Sequence, residues 1–205
     1  MDIGRAFNFP FRDSGWISKV LIGAVMVLIP IFGWFSLAGY GMRIMRRVVE
    51  GADTPLPDWT DFGQLFVDGV KVFVVGVVWG IPAIIIGAIA GASDSFGLQC
   101  LSWFVSIATS AFTGAAIVPV ALSGNIADGL QFQQVIRRVT SNISDYALIF
   151  VMGFVLSIVA VAGVIACIVG VLATIAYVSF VSSHLWAQAY RRSTGGGGLA
   201  PAPRF

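Results

Sequence analysis

A metal centre built from several protein ligands draws on histidine and cysteine, and this chain holds one of the first and two of the second. With His184 as the only imidazole, a multi-ligand zinc site is excluded. Neither Cys100 nor Cys167 has a histidine partner in view, so a thiol–imidazole nucleophile lacks support. Charge is scarce too: 11% of residues are Asp, Glu, Lys or Arg and 58% are hydrophobic, against about 25% charged in soluble domains. A soluble protein of 205 residues has no way to hide so much apolar surface, so lipid covers part of it. A net charge of +2, with no bases interleaved with aromatics, sets nucleic acid aside as a partner. No phosphate-binding glycine loop is present, because the glycines of "STGGGGLAPAPRF" precede no helix. The start, "MDIGRAFNFPFRDSGW", lacks the basic, apolar and small-residue order of a signal peptide, so the first hydrophobic stretch is read as retained.

What is present is a series of long apolar runs. A helix rises about 1.5 Å per residue, so roughly 30 Å of hydrocarbon takes about 20 residues. Segments 70–91, 99–123, 146–166 and 168–190 meet that length. The last two form one run of about 45 residues, twice a single crossing, and are predicted to fold into a hairpin around "ACIVG". Segment 16–49 is too long for one crossing and is interrupted at "IPIFG", where Pro30 lacks the N–H a helix needs. Read as a hairpin, its first arm is short, roughly 21 Å.

The basic residues decide between the readings. They are Arg5, Arg12, Lys19, Arg43, Arg46, Arg47, Lys71, Arg137, Arg138, Arg191, Arg192 and Arg204. With six helices in three hairpins, all of them lie on the side of the N-terminus, and the opposite turns carry only Asp94. With five helices, Arg43, Arg46 and Arg47 face away from Lys19. The positive-inside rule therefore predicts an all-α polytopic membrane protein with both termini cytoplasmic. Its helices are expected near 16–29, 31–49, 66–91, 98–123, 144–166 and 168–191, in one domain over 1–192, with a flexible cytoplasmic tail over 193–205.

Two stretches share a pattern. In "DWTDFGQLFVDGVKVFVVG", Trp59, Phe62 and Phe66 precede Asp68 and Gly76; in "VIRRVTSNISDYALIFVMG", Ile136, Val139 and Ile143 precede Asp145 and Gly153 at the same offsets. The spacing predicts a short amphipathic helix on the membrane surface, then an acid at the start of a crossing helix, where it meets free N–H groups and the positive dipole end. "FNFPFRDSGW" with Asp13 reads as a shortened version, and Trp16 joins Trp59, Phe62 and Phe66 as interfacial aromatics. The alternative is coincidence in a chain rich in apolar residues.

Small residues recur every fourth position: Ser102, Ser106, Ser110 and Gly114 on one helix; Gly76 and Gly80, then Ala83, Gly87 and Gly91, on another. In lipid such stripes let backbones approach, and serines bond across helices. A polar substrate groove is the weaker alternative. Pro82 and Pro119 lie inside crossing helices and either open a cavity or only shape packing. Cys100 and Cys167 both fall on the outer side, either as a disulfide or as buried free thiols. His184 is an interfacial histidine beside Trp186 and Tyr190, with ligation of a haem or chlorophyll as the less favoured reading and no other cofactor indicated. The crossing interiors hold almost no ionisable groups, which argues against an ion-coupled pump.

Several of these residues also carry a resemblance. The Phe-Pro-Phe start at 9–11, the Ile-Pro turn at 29–30, the Gly-Tyr-Gly at 39–41 before the arginines, and the Pro-Asp-Trp at 57–59 together resemble a prokaryotic membrane family catalogued as domain of unknown function 4013. The likeness is strongest over 1–90 and looser to about 192. It implies a multi-helix integral membrane protein of bacteria or archaea, and it implies no activity, so no catalytic residue carries over. The expectation from the residues is a non-enzymatic accessory or scaffold subunit that packs in lipid with itself or with other membrane proteins. A passive transporter or lipid-handling protein is the second reading. A lipid enzyme using Asp58, Asp61, Asp68 or Asp145 with a metal is the third.

Overall fold

In the computed structural model, which describes residues 3–51, 56–93, 95–162 and 167–195, the chain is all-α. Among these residues there are nine α-helices and one 3-10 turn. They are α1 (Ile3–Asn8), the 3-10 turn (Pro10–Arg12), α2 (Trp16–Leu28), α3 (Phe32–Val49), α4 (Phe62–Gly91), α5 (Phe96–Ser123), α6 (Ile126–Gly129), α7 (Phe132–Ser141), α8 (Ile143–Ala162) and α9 (Cys167–Ser193). Asp94, the 163–166 part of the predicted last turn and the tail beyond 195 lie outside the described residues.

Three helices are long and apolar enough to cross a membrane: α4, α5 and α9 from Gly170. A fourth crossing is available if α7 and α8, bent by 84° at their junction, act as one. Among the described residues the structure therefore carries three to four candidate crossings and does not by itself show the six expected. The shortfall lies in the first hairpin. α2 has 13 residues, about 20 Å, and α3 places Arg43, Arg46 and Arg47 in its second half.

The hairpin itself forms where proline predicts a break. Ile31 stands at φ 64, ψ −74, and the Phe32 N–H donates to the Pro30 carbonyl at 2.8 Å. This is the rare, strained γ-turn with positive φ. The chain doubles back: Lys19 near the start of α2 and Tyr40 and Arg43 in the middle of α3 all meet the 56–60 segment.

The surface helix expected around Trp59, Phe62 and Phe66 does not exist as a separate element. α4 starts at Phe62 and runs on for 30 residues, and Trp59 lies in the non-helical segment before it. Only α7 stands apart from its crossing helix. The two stretches share residue offsets but not structure, because the first docks its aromatics on α3 (Phe66 stacks on Phe32 with ring centroids 5.5 Å apart) and so extends the helix inward.

Packing is densest toward the basic end. The buried residues of α5 cluster at 111–121, those of α3 at 36–49, and those of α9 among 176–190. The Gly-Tyr-Gly motif explains how α3 sits between two neighbours. At 100° per residue, positions two apart face opposite sides. A Cβ on Gly39 would fall 2.8 Å from the Leu65 carbonyl carbon of α4, and one on Gly41 2.7 Å from Ser183 Oγ of α9. Tyr40, between them, is fully buried. Gly69 completes the α3–α4 contact, where a Cβ would strike the Phe35 backbone.

Candidate functional site

Two features sit between α2, α3, α4, α5 and α9. The first is a polar knot formed by the segment before α4. Lys19 Nζ donates to Asp13 Oδ2 and to the Leu56 carbonyl, both at 2.7 Å, and lies 3.0 Å from Asp58 Oδ1. Asp13 Oδ1 accepts from the Gly15 N–H at 2.7 Å, just ahead of α2, as its place before a helix start predicts. Trp59 Nε1 donates to the Lys19 carbonyl at 3.0 Å, and Tyr40 Oη donates to the Pro57 carbonyl at 2.7 Å. The two rings stack with centroids 4.0 Å apart. The ammonium beside Asp58 holds that carboxyl below the usual carboxylate range, chiefly through its hydrogen bond. These contacts make the knot a clasp that ties the 56–59 segment to α2 and α3.

The second feature is an apolar cleft of about 410 Å³. Along α3 its wall runs from Trp34 through Leu37 and Gly41 to Met45, and along α9 from Ile175 through Ser179 and Ser183 to Trp186; Val27, Val72, Gly114 and Ile117 line it from α2, α4 and α5. Gly114 admits the Trp186 ring so closely that a Cβ would stand 2.6 Å from its Cη2. Two of its three serines bond within their own helix: Ser179 Oγ donates to the Ile175 carbonyl at 2.9 Å and Ser183 Oγ to the Ser179 carbonyl at 2.8 Å, while Ser182 also lines the cleft.

The predicted residues scatter around these features. Trp59, expected at the surface, is 9% exposed in the core, because the 56–60 segment folds down onto α3. Trp16 packs edge-on against Phe11, and Phe62 stacks near Trp59. Asp68 does not meet free N–H groups: it lies six residues inside α4, buried, and pairs with Lys71 at 2.8 Å and Gln64 at 3.0 Å. Asp145 does sit in the first turn of α8, 2.7 Å from Arg192. Asp68 is thus a buried ionisable group inside a crossing helix, where almost none was expected, and Lys71 neutralises it; Asp13, ahead of α2, is buried as well and pairs with Lys19.

Of the stripes, Gly76 and Gly87 face α5 with room to spare, opposite Thr113 and Ser102. Gly80 meets only Ile84 of its own helix, and Gly91 faces open space. Ser106 and Ser110 are exposed and bond back to carbonyls of their own helix, Ser102 and Ile107, rather than across helices. The tight approaches at Gly39 and Gly69 were missed, and the Gly-Tyr-Gly sequence was the signal for one of them. Pro82 and Pro119 both sit within unbroken helices.

His184 is buried, 4.7 Å centroid to centroid from Phe9, with Nδ1 3.0 Å from Gln188 Nε2. It does not line the cleft. Among the described residues no group of three His, Cys, Asp or Glu side chains is placed to hold a metal ion. Cys100 is half-buried; the side chain of Cys167 lies outside the described set, and with it the pairing of the two. At the basic end, the Arg138 guanidinium lies 4.4 Å from the Tyr190 ring centroid, Arg46 Nε donates to the Ala121 carbonyl at 2.8 Å, and Arg191 reaches the Val48 carbonyl at 3.5 Å.

No curated protein and no solved structure matches the chain. A family profile, described as a protein of unknown function (DUF4013), matches residues 22–169. The match begins after the Phe-Pro-Phe start and takes in the Ile-Pro turn, the Gly-Tyr-Gly, the Pro-Asp-Trp and the cleft walls on α3, α4 and α5. With most of its length matched, the chain belongs to this family of proteins of unknown function, DUF4013.

Proposed function

We propose that the protein is a non-enzymatic membrane component that packs with itself or with other membrane subunits in the cell membrane. The observation that carries this reading is how little of its longest apolar helix the chain covers: 11% of the most apolar stretch of α4 is buried. Val77, Ile81, Ile84, Ile85 and Ile89 of α4 and Phe150, Phe154 and Ile158 of α8 stand exposed. Lipid or a partner must cover them. Extraction in mild detergent followed by native electrophoresis and mass spectrometry tests the proposal. A higher-mass particle containing a second copy or a fixed partner supports it, and a strictly monomeric, partnerless particle refutes it. The apolar cleft favours a second reading, a passive or lipid-handling protein.

In this reading six helices form three hairpins, with both termini on the basic, cytoplasmic side. Four crossings are complete. The α2–α3 hairpin enters from the basic side and turns at Ile31 part-way through, because its arms are too short for the full depth. A cysteine at position 31 is expected to resist impermeant thiol reagents in intact cells. Ready labelling there from outside overturns the part-way turn.

A further inference from the structure

We propose that the cleft between α3, α5 and α9 holds one acyl chain of a phospholipid from the leaflet opposite the basic end. The inference rests on the reading that the α2–α3 hairpin lies in hydrocarbon. Exposure is highest at one end of both long walls, although Ala38, Ser182 and Trp186 further along are half-buried. On α3 it drops from 59% at Trp34 to 8% at Leu37 and 6% at Met45, and on α9 from 37% at Ile175 to 7% at Ser183. The cleft is therefore most open at the hairpin tip and more closed toward the arginines. Val27 of α2 lines it as well, and with the hairpin in hydrocarbon, what reaches the mouth is hydrocarbon, not water. Trp34 is pinned as one lip by its Nε1 bond to the Val27 carbonyl at 2.9 Å.

The size and the chemistry agree. Trp34 to Met45 and Ile175 to Trp186 each span eleven residues, about 16 Å of helix. A cleft of about 410 Å³ drawn out over that length has the long, narrow form of one extended hydrocarbon chain. Ser179 and Ser183 spend their hydroxyl hydrogens on their own helix, so neither donates to an occupant. A void of this kind forfeits dispersion contacts on its lining, and a flexible chain supplies them. Because the mouth faces away from the basic end, a tail enters methyl end first from the far leaflet, leaving its headgroup outside.

The test uses the full-length protein in liposomes containing a phosphatidylcholine with a photoactivatable diazirine near the methyl end of one chain, followed by peptide mapping of adducts. Adducts are expected at the closed end, on Met45 and Ile117, as well as on the exposed face of α8 at Phe154. A headgroup-labelled probe is expected to leave Met45 and Ile117 unmarked. Ala38→Phe and Ser179→Phe, which each fill the cleft, are expected to abolish the closed-end adducts and leave those on α8 unchanged. Either variant suffices if the other fails to give a monodisperse particle. Labelling of α8 without the closed end refutes the acyl-chain site and spares the membrane reading, and so does closed-end labelling that both variants leave intact. Absence of labelling on α8 as well refutes the membrane reading itself.

Discussion

Gly69→Ala tests the α3–α4 contact on which the arrangement of the basic end depends. A Cβ at position 69 would stand 2.8 Å from the Phe35 Cα and closer still to the Phe35 carbonyl. Carbon atoms prefer 3.5–4.0 Å, so the two helices must part by about 1 Å. The obstacle is backbone, which has no rotamer to change, and the cost falls at the upper end of the range for overpacking, about 3 kcal/mol. Alanine's better helix propensity returns about 1 kcal/mol. The net loss of about 2 kcal/mol corresponds to a melting temperature lower by about 4–8 °C for a chain of this size. Melting is followed by tryptophan fluorescence in detergent micelles, where the six tryptophans include Trp59 stacked on Tyr40 beside α3. Gly153→Ala is the control, since nothing lies within 4 Å of its Cβ position; it is expected to melt at or slightly above the wild-type temperature. A Gly69→Ala protein that melts with Gly153→Ala would refute the close approach of α3 and α4.

Ile31→Gly removes a β-branched residue from positive φ and is expected to stabilise the hairpin by about 1 kcal/mol, part of the strain being offset by glycine's freer unfolded chain; an unchanged or lower melting temperature would argue against the γ-turn. Lys19→Met leaves Asp13, 5% exposed, without its cation and is expected to cost about 3 kcal/mol or more, whereas adding Asp13→Asn recovers much of that loss. If the double variant melts no higher than Lys19→Met alone, the pair is not the source of the loss. Asp58 has its carboxyl held below the ordinary range by Lys19, so its contribution is present above the unfolded carboxylate value and fades as pH falls through the lower folded value. The effect is small because Asp58 is exposed. Melting scans from neutral to acid pH should show a shallower acid decline in Asp58→Asn than in the wild type, and identical slopes would count against the contact.

The sequence by itself determined the helical class, the apolar runs near crossing length, the break at Pro30 and the gathering of arginines at one end. These follow from local quantities: the rise per residue, the missing proline N–H and the spacing of charges along the chain. The family resemblance was legible for the same reason, in short motifs such as Gly-Tyr-Gly and Pro-Asp-Trp. Only the tertiary structure decided which small residues matter. The helix crossings fall at Gly39, Gly69 and Gly114, while Gly80, Gly91, Ser106 and Ser110 keep the same spacing and face no neighbouring helix. It also decided that Trp59 and Asp68 are buried, that the first hairpin stops short, and that an apolar cleft runs along the contact of α3 with α9. A helix's sequence sets which residues share a face, but not what that face meets. The meeting depends on crossing angles and on loops such as 56–60 folding back from far along the chain.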